Sequence, residues 1–111
     1  MNGKIRTSSS VKVYPLTEWS DFVFEKNYKL LTTNEVEEYI KENGHLPEIP
    51  SAQEVKDEGI DLGLMDAKLL QKIEELTLYV IQMKKADEAL RKQNEFLRKE
   101  IQAAKARLKK Q

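Results

Sequence analysis

From Leu69 onward, large apolar side chains return every three or four residues almost to the end of the chain. Leu69, Leu76, Met83, Leu90, Leu97 and Ala104 fall at position d of a heptad, and Ile73, Val80, Asp87, Asn94, Ile101 and Leu108 at position a. Nine of these twelve are large and apolar, and neither Gly nor Pro occurs from Leu64 to the end. A 3.5-residue apolar repeat in an uninterrupted helix is what a coiled coil requires. Over residues 69–108 such a helix is on the order of 60 Å long. Nothing else in 111 residues is long enough to cover its seam, so a second copy of the chain is the economical partner. Composition agrees: with 40% hydrophobic and 34% charged residues, a long charged helix fits better than a compact monomeric core.

The seam is interrupted twice. Asn94 at position a lowers stability but favours parallel, in-register pairing, because its side chain bonds its own counterpart. Asp87, one heptad earlier, calls for Lys84 and Arg91 at neighbouring e positions to fold over it. As an interruption it reads as a polar defect that serves register rather than an ion site. Ile or Val at a with Leu at d leans toward two strands. Residues 69–81, however, carry a wider apolar belt, with Leu70 at e, Tyr79 at g, and Leu78 and Ile81 further round. That belt suits either a three-stranded core or a helix wrapped by its own head. Glu100 at g facing Lys105 at the following e is the one clearly attractive flanking pair in parallel register. The remaining basic e sites face uncharged g partners, so the expected assembly is a homo-oligomer.

Upstream, residues 1–18 read as extended, with Ile5, Val11, Val13 and Tyr14 as strand formers and Pro15 as the stop. Trp19, Phe22 and Phe24 make 19–24 the most aromatic stretch and are expected in a head core with Val36, Tyr39 and Ile40. Thr32 precedes Glu35 by three residues, and Ser51 precedes Glu54 by three, each a capping-box spacing. Gly44 and Gly59 supply the matching stops, which predicts two short helices joined by the extended HLPEIP segment. Neither helix is long enough to stand alone. The expected fold is therefore mainly α: a small α+β head with short N-terminal strands and two short helices, then a long helix in a parallel homo-oligomeric coiled coil. Its segments are 1–18, 19–66 and 67–111.

Little in the sequence offers chemistry. No cysteine is present, which excludes disulfides and thiolate metal sites. His45 is the only histidine and is read as meeting free carbonyls after the first helix, so no metal or cofactor is expected. Ser8–Ser10 and Ser51 have plain roles as turn and cap, and Gly59 and Gly63 do not form a phosphate loop. No catalytic residue is expected. Residues 1–66 hold 7 Lys/Arg against 13 Asp/Glu, and residues 67–111 hold 12 against 6, so the net charge of zero hides an acidic head and a basic helix. A basic-zipper protein carries its Arg/Lys block before the heptads, where this chain has acidic VKDEGID, so nucleic-acid binding is not expected. No apolar run of 18 residues occurs, and no membrane insertion is expected.

Three motifs carry a resemblance over about residues 3–82: Trp19 to Phe24 (WSDFVF), His45 to Val55 (HLPEIPSAQEV) and Leu69 to Tyr79 (LLQKIEELTLY). In order and spacing they resemble the C-terminal region of tail-fibre-like and adhesin-like proteins of Bacteroidota and their phages. Those proteins are grouped with intramolecular chaperones of the endosialidase type. The resemblance implies a fibre-terminal trimerisation and folding module, on a virion tail or cell surface, whose partners are itself and an upstream fibre or adhesin body. The opening NGKIRT is similar to the last β segment of such a body, which implies a truncated chain. Self-cleaving relatives use a Ser–Lys pair. Here Ser20-Asp21 lacks the following Arg and Lys, so autoproteolysis is not expected. The alternative roles are a receptor- or glycan-binding tip and an autoproteolytic chaperone. The residues expected at the oligomer interface are Leu69, Ile73, Leu76, Val80, Met83, Asp87, Leu90, Asn94, Leu97, Ile101 and Leu108.

Overall fold

A computed structural model describes residues 3–110, and Asn2 of the NGKIRT stretch and Gln111 of the final segment lie outside the described residues. The protein is mainly helical, with a 3-10 turn at Phe22–Phe24 followed by α1 (Thr33–Asn43), α2 (Ala52–Glu58) and α3 (Leu62–Lys109). The chain divides into two units, Met1–Glu75 and Leu76–Gln111.

Local capping chemistry fixes where the helices start. Thr32 Oγ1 accepts from the Glu35 amide at 3.1 Å while the Thr32 amide donates to Glu35 Oε1 at 3.0 Å. Ser51 and Glu54 repeat this exchange at 3.2 and 3.3 Å. Each box satisfies two backbone donors that a helix start otherwise leaves open. At α3 the Leu64 amide donates to Asp61 Oδ1 at 3.0 Å, the same service from an aspartate. Gly44 ends α1 at φ 74 and ψ 12, a left-handed geometry that glycine adopts without a Cβ penalty.

The N-terminal strands of the expected α+β head are not present: among the described residues there is no strand. Ile5, Val11 and Val13 have strand-forming side chains, but no second strand among the described residues offers the edge a strand must pair with. Instead the irregular segment reaches the start of α3. A Cβ on Gly63 would lie 2.7 Å from Val13 Cγ1 and 2.8 Å from Leu16 Cδ2, so the segment crosses tightly against the helix at Gly63.

The expected aromatic head core also differs within the single chain. Trp19 is 51% exposed and Phe24 54%, Phe22 and Ile40 are exposed as well, and Val36 and Tyr39 are only half-buried. The buried set is smaller in volume: Val23, at 1% exposure, with Ser20, Pro47, Gly63, Ala67, Gln71 and Glu74. The 3-10 turn explains the exchange. It points Val23 inward and leaves its neighbours Phe22 and Phe24 turned outward, with Phe22 instead meeting the Tyr28 ring at 5.7 Å.

Candidate functional site

Within the first unit, α3 presents two faces with different duties. Gly63, Ala67, Gln71 and Glu74 are buried under the head. Leu62, Leu69 and Ile73, the apolar residues at heptad positions a and d, remain exposed. At 3.6 residues per turn these two sets lie roughly 135° apart around the helix. The head therefore sits on the face around positions b and f, and the apolar seam is left open. Ile73 is 58% exposed, a cost for a large aliphatic side chain that association with a like surface would remove.

In the second unit the seam residues Leu76, Val80, Met83, Leu90, Leu97, Ile101 and Leu108 are all exposed. Asp87 and Asn94 are exposed too. Arg91 Nε lies 3.0 Å from Asp87 Oδ2, so one of the two cations expected beside Asp87 is in place. Both groups are open to solvent, where such a pair contributes on the order of 0–1 kcal/mol.

The buried face of α3 is polar, which its periodicity did not announce. Gln71 Nε2 donates to Tyr28 Oη at 3.1 Å and to the Glu48 carboxylate at 3.4 Å. Tyr28 donates its hydroxyl to Glu75, and Lys72 bridges Glu48 at 3.4 Å and Glu75 at 3.1 Å. Burial, together with the Glu75 hydrogen bond, pushes the Tyr28 phenol up to about 12. Glu48 enters this network from a turn in which the Ile49 amide donates to Leu46 O at 3.2 Å. Pro47 and Glu48 are its central residues, and Glu48 has φ 67, the type II pattern in which the second central residue is normally glycine or asparagine. In that turn its carboxylate meets Gln71 and Lys72.

One turn further along, Glu74 is buried with Oε1 unpartnered, and Ser20 is buried with an unpartnered Oγ. Burial holds the Glu74 carboxyl above the usual glutamate range, and the Asp21 carboxyl beside it acts in the same direction. The Ser20 hydroxyl acts the other way. Asp21 itself has φ 130, a positive value rare outside glycine. The structure thus gathers parts of three motifs singled out in the sequence: Ser20, Asp21 and Val23 from WSDFVF, Pro47 and Glu48 from HLPEIP, and Gln71, Lys72, Glu74 and Glu75 from LLQKIEELTLY.

His45 Nδ1 lies 2.9 Å from Leu46 O, and its ring meets Tyr39 edge-on at 5.6 Å, a packing role. A cleft of about 260 Å³ opens between Glu18, Phe22, Glu48, Ala67, Lys68 and Gln71. It is below the roughly 300–1,000 Å³ of most small-molecule sites. Among the described residues no group of three or more His, Cys, Asp or Glu side chains could hold a metal ion. No helix among them is long and apolar enough to cross a membrane. No family model matches the chain, and no curated protein or solved structure does.

Proposed function

We propose that this chain is a self-association module that holds three copies in parallel register through α3, as the folding and trimerisation end of a tail fibre or surface adhesin. The observation that carries the proposal is the uncovered a/d seam, with the head docked on another face of the same helix. Heads placed outside and seams placed inside let copies join without moving any residue of the buried face. Each large seam side chain contributes about 1.5–3 kcal/mol on burial, far more than the exposed ion pairs along α3. Asn94 selects the parallel register, and the apolar residues beyond a two-stranded seam, Leu70 and Tyr79, favour three strands. Parallel assembly would bring three copies of the irregular segment 4–14 together at high effective concentration, so that each finds the strand partner its own chain does not provide.

Light-scattering mass across a concentration series tests this. Three times the chain mass of 12.9 kDa is expected. A value of twice that mass would revise the strand number, and a monomer at every concentration would overturn the proposal.

The exposure of Trp19 and Phe24 favours a second reading, a receptor- or glycan-binding tip. Trp19 is the only tryptophan, so its emission reports directly on this surface. Emission of a water-exposed indole in the assembled protein, quenched by acrylamide and protected by added glycan, is the expected outcome of that reading. A shielded indole in the assembly alone would remove it.

A further inference from the structure

The stem of α3 and the head carry opposite charges on surfaces that the seam does not use. Along α3 the e row holds Lys84, Arg91, Arg98 and Lys105, and the f row holds Lys85, Lys92 and Lys99. Each row repeats every seven residues, about 10 Å along the helix, so the two rows bound one face of it. All of these side chains are exposed. Glu88 and Glu95, at position b, stand between the rows. Arg91 is paired with Asp87 at 3.0 Å and Lys99 with Glu95 at 3.8 Å. Lys84, Lys85, Lys92, Arg98 and Lys105 belong to none of the ion pairs among the described residues. Parallel self-association, the proposed function on which this inference rests, neutralises little of that charge. In it Lys84, Arg91 and Arg98 face Tyr79, Ala86 and Gln93 of the neighbouring helix, and Lys105 alone meets a carboxylate, Glu100.

The matching anion is in the chain itself. Residues 32–66 hold 10 Asp/Glu against 2 Lys. Glu38 and Glu42 on α1 and Glu58 on α2 are exposed, and none of the ion pairs among the described residues includes them. The net charge of zero leaves no overall repulsion to keep assemblies apart. We propose that the face bounded by the e and f rows is a docking surface for a second assembly of this chain, and that it takes the carboxylates of that assembly's α1 and α2. The residues of α3 buried under the head fall between 63 and 74, and the basic rows run from 84 to 105 of the same helix. Two assemblies lying antiparallel therefore present each head to the other's rows. Such a contact is isologous and closes at two assemblies instead of growing into a filament. Exposed pairs are individually weak and screened by salt, so the docking depends on many of them acting together at low ionic strength.

Light-scattering mass of the full chain at pH 7, followed from about 20 mM to about 500 mM salt, tests the docking. The high-salt mass is that of the basal assembly, and twice that mass is expected at low salt. Lys85→Glu with Lys92→Glu reverses the f row, and Glu38→Lys with Glu58→Lys reverses the head. Neither pair lies in the seam or in a capping box. Each variant alone is expected to keep the basal mass at every salt concentration. Mixed in equal amounts at low salt, the two are expected to regain the doubled mass, because the reversed surfaces match each other and so do the unaltered ones. Should a variant fail to fold, carbodiimide coupling in the unaltered protein replaces it. Amide links from Lys85 or Lys92 to Glu38, Glu42 or Glu58 of a differently isotope-labelled copy are expected at low salt and not at high salt. A constant basal mass of the unaltered chain at all salt concentrations would overturn the proposal, whether the rows are merely solvated or bind another polyanion. Open-ended growth at low salt, a doubled mass in the stem variant alone, or the absence of those amide links would overturn it as well. Doubling is scored against the high-salt particle, so the result is separate from the strand number, and a monomer at high salt would overturn the seam proposal and this one with it.

Discussion

Tyr28 ties the chain ahead of α1 to α3 through a single oxygen, which donates to Glu75 and accepts from Gln71. Its phenol is pushed from 10.0 up to about 12, first by burial and then by the Glu75 hydrogen bond. The unfolded chain therefore loses this proton first, and the stability that the neutral phenol provides falls as pH rises from 10.0 to about 12. Thermal midpoints measured across that interval should drop more steeply for the unaltered protein than for Tyr28→Phe. Parallel curves for the two would show that the hydroxyl is not linked to folding. Gly63 makes the opposite kind of case, a residue that matters by what it lacks. In Gly63→Ala the helix gains about 1 kcal/mol of propensity, but the new methyl displaces Val13 and Leu16. The expected result is unchanged helix content by circular dichroism with faster proteolysis ahead of Trp19. Unchanged proteolysis would show that the segment yields without leaving.

At the level of elements, what could be read in advance was what depends on neighbours in sequence. Thr32 with Glu35, Ser51 with Glu54, and the glycines at 44 and 59 encode their caps within a few residues, and α1 and α2 have the bounds those signals require. The unbroken heptads likewise encode one long helix, and α3 runs Leu62–Lys109. Strand formers at 4–14 did not make a strand, because pairing depends on an edge that the other described residues do not supply. The buried face of α3 was also hidden. Gln71 and Glu74 stand at f and b, positions that a heptad pattern assigns to water, and only contact with Ser20, Tyr28 and Glu48 turns them inward. Positive φ at Asp21 and Glu48 had no signal in residue type. The caps carry a direct prediction. Thr32→Ala should cost about 1 kcal/mol, read as a lower chemical-denaturation midpoint. No change in midpoint would mean that α1 is held by packing alone.

For the whole molecule, the two faces of α3 predict two separable failures. Leu90→Lys with Leu97→Lys places charge in the seam and should reduce the particle to 12.9 kDa while Tyr28 keeps its raised phenol. Ala67→Glu crowds a charge into the buried face and should free the head while mass stays that of the proposed assembly. Mass and head order lost together in either variant would show that the faces are coupled. One continuous helix carries both faces, so the angle between them is set by counting residues. A single residue added between 82 and 89 turns everything beyond it by about 100°, and the distal seam would point away from the proximal one. Seven added residues restore the phase to within about 20°. Like the teeth of a gear, α3 tolerates a change of length only in whole heptad steps, so relatives of this chain with longer or shorter stems should differ by multiples of seven.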